Sequence, residues 1–409
     1  MEKVLAGIII SSKKVLIISQ YFWPEDFRSN ELASNLKNLG YIVEVLTSTP
    51  QYPNKELFLD FYTNSNSFND FDGLKVYRCF QFSRGKSKFS LVLNYLSFVF
   101  FCTFYILRNL KNKEYDFILS VQLSPISSSI PSIVASKIFR APLYLWILDL
   151  WPDSLNFAGI ETKGMVYRFI DLLSKKIYKS ADLLLIGSKG FKKRLLEMEM
   201  DEKKIFYFPQ WVEDTYLESK ETDLDIKNAI TKIMSQFKGK TVFLFAGNIG
   251  EAQDFPSVLK SFKLASSKED MRFIILGDGR YKVKLDNLIK DYELCNVVHT
   301  LGRFDKDYMP SFYNSADYLL LSLSDSPGGR ITLPGKMQTY MNAGKPILAM
   351  INGEAAELIA EANCGFAVNS GNTQGFALLL QKCNSLSQES RKELGKNGKR
   401  FAKYNFSVE

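Results

Sequence analysis

Two cations stand among glycines in one stretch of the chain. Arg330 closes the run Ser326-Pro327-Gly328-Gly329-Arg330, and Lys336 opens a helical stretch, Lys336 to Asn342, that Gly344 stops. A glycine loop that feeds a helix N-terminus offers backbone N–H groups to an anion, and the two side chains add formal charge. The chemistry this suits is the grip on a nucleotide diphosphate. The alternative is an ordinary strand-to-helix connection, and the residues alone leave both open. A second candidate is Asp149, an acid at the end of the apolar run Leu143 to Leu148 and beside Trp151; a functional and a structural role are equally compatible with its place. Asp153 reads as a helix N-cap.

Such residues act only if a sheet holds them. Tyr318 to Leu323 and Pro346 to Ile351 read as buried parallel strands around the glycine loop, and the turn Asn352-Gly353 then opens a helix with Glu354 and Glu357 in its first turn. In open parallel sheets ligands bind outside the carboxyl ends of the strands. The same alternation runs along the chain. Lys14 to Ser19 is a strand, Asn30 to Gly40 a helix, and Tyr41 to Thr47 a second strand, a βαβ opening without the G-x-G-x-x-G of a dinucleotide site. Further strands are expected at Tyr115 to Val121, Ala181 to Ile186 and Ile205 to Phe208. The segment 218–238 is charged and poorly patterned, and reads as the interdomain connection. A second series follows, with strands at Thr241 to Ala246, Phe273 to Leu276 and Val297 to Leu301, each leading into a glycine turn. The fold class is α/β, with two Rossmann-like doubly wound domains facing across a cleft that would hold the ligand.

Composition narrows the functions. A net charge of +8 over 409 residues is too mild to argue for nucleic acid, but it suits phosphorylated substrates or an anionic membrane surface. Five scattered cysteines without C-x-x-C spacing argue against a metal cage, and a single histidine, His299, argues against a histidine metal site or a Ser/His hydrolase. The apolar run Val4 to Ile10 is short for an export leader and reads as a loose extension. Residues 89–107 carry no charge and are flanked by Arg84, Lys86 and Lys88 on one side and Arg108, Lys111 and Lys113 on the other. This stretch is a buried domain helix, a helix lying in a membrane interface, or, least in keeping with the strand that follows at once, a span.

The segments FAGNIGEAQDF (245–255), ILGDG (275–279), NVVHTLGRF (296–304), YNSADYLLLSLSD (313–325) and LPGKMQTYMNAGKPILA (333–349) resemble, in order, those of family 4 retaining glycosyltransferases of the two-Rossmann GT-B fold. The N-terminal ISQYFWPEDFRSNELASNLKNLGYIVEVLTS and the central LYLWILDLWPDSLNFAG fit the same family, and the O-antigen and capsule subgroup that includes L-fucosamine transferases is the most similar. The resemblance spans about residues 13 to 409. It implies an acceptor-binding domain at 13–215, a nucleotide-sugar domain at 216–390, and a C-terminal helix, 391–409, crossing back to the first. The chain departs from the family where two glutamates are usual, at Ile331 and Thr339, and where a Gly-Arg…Lys phosphate pair is usual, at Asn248 and Gln253.

By this resemblance the chain would move a sugar, with retention, from a UDP-linked nucleotide sugar, in one version UDP-N-acetyl-L-fucosamine, to a lipid-linked glycan precursor. Lys336 would clamp the departing diphosphate, helped by Asn248, Gln253 and the loop at 330–335, with Arg330 and Thr332 in it. Gly277 and Gly279 would complete the donor site, Arg303 would lie beside the base, and Gln338 or Thr339 would hydrogen-bond the ribose. Asp149 would serve the reaction from the first domain. Arg28 would meet acceptor phosphates or simply start a helix. No metal or other cofactor is expected, and the D-x-D at Asp223 to Asp225 lies in the charged segment. The implied partners are the nucleotide sugar, a polyprenyl-diphosphate-linked acceptor and a membrane surface at 84–113, on the inner face of the cytoplasmic membrane. The rival readings are a degenerate glycosyltransferase-like scaffold and a UDP-sugar 2-epimerase.

Overall fold

Aliphatic and β-branched runs without a polar face need cover on both sides, and here each strand is followed by a segment that supplies it. The computed structural model describes residues 13–52, 55–85, 87–158, 164–212 and 224–408. These form two α/β units, one of residues 13–155 and 164–208 and the other of 156–158, 209–212 and 224–408, so the chain passes between them at Phe208/Pro209 where 215/216 is expected. The expected extension at Val4 to Ile10 and Asp223 lie outside the described residues.

The first unit is built on strands β1 (Lys14–Ser19), β2 (Ile42–Ser48), β3 (Asp70–Phe71), β4 (Leu74–Cys79), β5 (Phe117–Gln122), β6 (Leu143–Ile147), β7 (Leu183–Ile186) and β8 (Ile205–Tyr207). Their order in the sheet is β3-β4-β2-β1-β5-β6-β7-β8, and β3 alone runs antiparallel, to β4. Ile17 of β1 stands opposite Val45 on one side and Leu119 on the other, so the strand order reverses between β1 and β5. The pair β3-β4 is absent from the sequence reading. β4 (LKVYRC) mixes charges into its apolar pattern, and its partner beyond β2 is only two residues long.

The second unit carries β9 (Thr241–Ala246), β10 (Met271–Leu276), β11 (Val298–Gly302), β12 (Tyr318–Ser322), β13 (Ile347–Met350) and β14 (Gly365–Val368). They form one parallel sheet in the order β11-β10-β9-β12-β13-β14, with the reversal between β9 and β12. Phe243 and Phe245 face one core, and Leu244 and Ala246 the other. Residues 224–235, read above as a connection, are a helix whose Ile230 and Met234 enter the second core. The C-terminal helix Gln388–Asn405 also belongs to this unit. It lies against the helix Lys336–Asn342, and Arg391 pairs with Asp317 at 2.8 Å. The helix expected at 391–409 thus begins at Gln388 and is grouped with the second unit.

The stretch 89–107 forms the helix Lys88–Tyr105, continued by a π-helical turn, Ile106–Leu110. Ser87 caps it by accepting from the N–H of Ser90 at 3.1 Å. One face packs on β2, β4 and the helix Ile130–Phe139. Its polar residues Asn94 and Ser97 are on that inner face, 1% and 5% exposed. Phe89, Val92, Leu96, Phe100 and Phe104 are on the outer face and exposed. Among the described residues it is the one helix long and apolar enough to cross a membrane by length and composition.

Candidate functional site

In the second unit the turns that leave β9, β10 and β11 are laid one on another. Gly247 N–H donates to Leu276 O at 2.9 Å, Ile249 N–H to Asp278 O at 2.8 Å, and Gly277 N–H to Gly302 O at 2.7 Å. Such an approach requires glycine. Gly277 has φ +135°, and a Cβ there would lie 1.9 Å from Gly247 O. Gly353, after β13, has φ +71° and would place a Cβ 1.7 Å from Arg330 O. The glycine turns thus meet at the carboxyl ends of the strands, around the point where the strand order reverses.

Lys336 enters this place from the first position of its helix. Its ammonium lies 3.5 Å from the centroid of the Phe245 ring, and it crowds Gly247 so closely that a Cβ there would be 2.9 Å from Nζ. It makes no hydrogen bond or ion pair among the described residues. Burial without a carboxylate pushes its pKa down to about 7. The aromatic face offsets only part of the lost hydration. A cation held in this state gains most from an anionic ligand.

The other expected donor residues are placed in four different ways. Asn248 is exposed beside Gly250 and Gly279, and a Cβ on Gly279 would be 2.7 Å from Asn248 Oδ1. Arg303 is exposed just past β11. Arg303 follows Gly302, whose carbonyl accepts from Gly277 N–H, while Asn248 lies against Gly279 and Lys336 against Gly247. Gln253 is turned to local use: its Oε1 accepts from Gly250 N–H at 2.9 Å. The run Ser326–Arg330 is not a loop. Ser326 caps a helical turn, Pro327–Ile331, by accepting from Gly329 N–H at 3.0 Å, and Thr332 donates to Gly328 O at 2.7 Å. Arg330 spends its charge on Asp325, at 2.8 and 3.0 Å, which Asn352 also contacts at 2.9 Å. Gln338 and Thr339 are buried inside the helix Lys336–Asn342. In the orientation that satisfies its amide, Gln338 donates to Pro334 O and Gly335 O. His299 is half-buried against the Phe237 ring at 4.9 Å, and burial lowers its pKa, as befits a structural residue.

In the first unit Asp149 lies just past β6 and accepts from Ser124 Oγ at 2.7 Å, while Trp151 Nε1 donates to the same Oγ at 3.2 Å. Burial raises the Asp149 pKa, and the Ser124 bonds oppose it. Asp153 pairs with Arg194 at 2.9 Å. Arg28 is held by Glu31 on its own helix at 3.0 Å and is largely covered, so its charge is engaged locally. Of the basic flank, Lys113 bonds Glu44 at 2.9 Å. Arg108 and Lys111 are exposed.

The sequence reading missed a row of buried amides at the carboxyl ends of four strands: Gln20 after β1, Gln51 after β2, Gln81 after β4 and Gln122 at the end of β5. Each keeps at least one side-chain atom without a hydrogen-bond partner among the described residues. Glu25 lies with them. Its Oε1 accepts from Gln51 N–H at 2.8 Å and Tyr52 N–H at 2.6 Å, its Oε2 has no hydrogen-bond partner among the described residues, and burial raises its pKa to about 7. The signal was available: each glutamine stands at or just past the end of a strand.

Residues 227–401 match the family described as glycosyl transferases group 1. Over the whole chain the fold is that of the GT-B enzymes. Alr3699/HepE of Anabaena, whose structure is a complex with UDP and glucose, superposes with a TM-score of 0.69 at 16% identity, covering 97% of this chain and 96% of that one. The probable glycosyltransferase WbjE of Pseudomonas aeruginosa is 26% identical over 60% of this chain and 62% of its own length, less than two thirds of that protein. WcaI of Escherichia coli, whose name places it in colanic acid biosynthesis, is 24% identical over 88% of this chain and 90% of its own.

The Lys336 environment predicts a stability change. Its folded pKa is lowered from 10.5 to about 7. The cost to the fold is therefore complete below pH 7 and disappears as the pH rises towards 10.5. Without ligand, Lys336→Met should stabilise the protein at pH 6, on the order of 1–3 kcal/mol, since the ammonium keeps part of its hydration. The gain should shrink steadily up to pH 10. Equal denaturation midpoints of wild type and variant at pH 6 would contradict the described environment.

Proposed function

We propose that this protein is a retaining glycosyltransferase that moves a sugar from a UDP-sugar to a lipid-linked glycan precursor of a bacterial surface polysaccharide, without a metal ion. The observation that carries the reading is the unpaired Lys336 ammonium over the glycine turns, inside the region that matches glycosyl transferases group 1. The bond between the anomeric carbon and the diphosphate breaks, and its electron pair leaves with UDP. Lys336 and the backbone N–H groups of the turns stabilise that charge as it develops. The acceptor oxygen bonds to the same carbon, and its proton passes to the departing phosphate oxygen. Such a front-side course needs no nucleophilic carboxylate, whereas a double displacement would. Asn248 and Arg303 complete the donor grip, and Asp149 works on the acceptor side.

Donor and acceptor classes rest on the relatives. WcaI is named for colanic acid biosynthesis, and HepE was solved with UDP and glucose. N-acetyl-L-fucosamine remains one proposed donor sugar. A place on the inner face of the cytoplasmic membrane is part of this reading, and the first unit supports contact with a lipid surface. The helix Lys88–Tyr105 exposes Phe89, Val92, Leu96, Phe100 and Phe104 on one face, which favours a lipid surface over water on that side. A degenerate scaffold is the second reading, favoured by the absence of glutamates at 331 and 339.

Two measurements test this. With EDTA present, the purified protein should release UDP from at least one of a panel of UDP-sugars when a lipid-diphosphate amino sugar is supplied, and Lys336→Ala should lower turnover by about 10²-fold or more. Unchanged turnover in Lys336→Ala would remove the clamp, and UDP binding without turnover across the panel would favour the scaffold. Vesicles containing anionic lipid should sediment the protein, and Leu96→Glu/Phe100→Glu should abolish the association. Equal sedimentation of the variant would remove the membrane role of this helix.

A further inference from the structure

The loops after β1 and β2 are joined through one buried carboxyl group. Glu25 is 1% exposed, and its Oε1 accepts from the backbone N–H groups of Gln51 and Tyr52 at 2.8 and 2.6 Å. Its own loop is laced together. Glu25 N–H donates to Phe22 O at 3.1 Å, Asn30 Nδ2 donates to Glu25 O at 2.7 Å, and Trp23 N–H donates to Asn30 Oδ1 at 2.9 Å. On the other side Gln51 Oε1 accepts from Arg84 N–H at 2.7 Å and from Asn94 Nδ2, on the helix Lys88–Tyr105, at 2.9 Å. The Glu25 carboxyl thus ties two loops directly and the helix through Gln51.

The second oxygen is the weak point. Oε2 is buried without a hydrogen-bond partner among the described residues. The charged or titratable groups that face Glu25 are Arg78 on β4, Tyr21 on its own loop and Tyr62 on the helix Leu59–Thr63. Arg84 faces Tyr21, Tyr52 and Tyr95 instead. Arg78 is held by backbone carbonyls: Nη1 donates to Ser48 O at 3.2 Å, Nε to Phe68 O at 3.1 Å, and Nη2 to Trp23 O at 2.5 Å. An ionised Glu25 would therefore leave a buried, charged oxygen without a donor, which is costly. Burial accordingly raises the pKa to about 7, although the N–H groups and Arg78 oppose the rise. The charged form is satisfied only if water enters or Arg78 leaves its carbonyls. Arg78 and Tyr62 also line a cavity of about 650 Å³, which is a source of that water. Either change pulls at the loops that the neutral acid holds together.

We propose that Glu25 is a positioning residue that, with a proton on Oε2, clasps the loops after β1 and β2 to the helix Lys88–Tyr105, and that loss of this proton releases them. The consequence for turnover rests on the function proposed above, with the acceptor on the first unit. The clasp itself rests on the hydrogen bonds of that unit.

The test uses the full chain at pH 6 and pH 8.5, as wild type, Glu25→Gln and Glu25→Ala. Glutamine keeps a carbonyl for the two N–H groups and does not ionise. In the wild type, protection of the Gln51 and Tyr52 amides from hydrogen exchange, corrected for the intrinsic rate, should fall about tenfold or more from pH 6 to pH 8.5. In Glu25→Gln it should be equal at both values, and in Glu25→Ala low at both. Lys336 is common to all three proteins, so its titration cancels. Protection independent of pH in the wild type, or falling equally in Glu25→Gln, would overturn the proposal, and this comparison stands even where Glu25→Ala does not fold. In turnover, Glu25→Ala should raise the acceptor KM about tenfold or more, Glu25→Gln should restore it, and UDP affinity should be the same in all three. An acceptor KM equal in all three would overturn the positioning role. Absence of turnover with every acceptor would count against the proposed function alone, because the exchange experiment needs no substrate.

Discussion

An ammonium with no counter-charge is the constraint on which the second unit depends. Lys336 could be relieved by a carboxylate from any neighbouring turn, yet Asp325 is committed to Arg330, and Phe245 offers only its ring face. The glycine turns bring backbone to within contact of that ammonium, and Gly247 would crowd it if it carried a side chain. Burial therefore holds the lysine near neutrality until a ligand supplies negative charge. A site that is costly when empty is stabilised when filled, the usual sign of binding groups arranged for a ligand rather than for the fold.

The first unit shows the complementary arrangement. Its sheet ends in amides and a buried carboxylate whose hydrogen-bonding capacity the fold does not exhaust. The helix Lys88–Tyr105 is bound to that region through its polar side: Asn94 donates to Gln51 Oε1 at 2.9 Å, and Gln51 N–H in turn donates to Glu25. Phe98 and Cys102 are buried on the same inner face, so the helix is apolar on both sides, unlike one whose outer face meets water. The side chains that anchor the helix are thus two hydrogen bonds from Glu25. Whatever covers its outer face is mechanically joined to the loops after β1 and β2.

Strands buried on both faces were legible, and β1 and β9 coincide with their expected bounds, because continuous apolar runs leave no other reading. The helix 224–235 hides its two core residues, Ile230 and Met234, among charges that face outward, so it reads as a connection until the core is seen. A Pro-Gly-Gly run reads as a loop, yet Ser326 supplies the cap that coils it. The place of Lys336 at the start of a helix was legible from the Pro334-Gly335 that precedes it. The engagement of Arg330 by Asp325, of Arg28 by Glu31 and of Gln253 by Gly250 was not, because spacing along the chain does not show which partner a side chain reaches first.

The most direct measurement is the titration of the Lys336 amino group by NMR in selectively labelled protein, with and without UDP. The account predicts a pKa near 7 in the free protein and a rise by more than one unit when UDP binds, with proton uptake at pH 8. A free-state value near 10.5, or a value unmoved by saturating UDP, would contradict it.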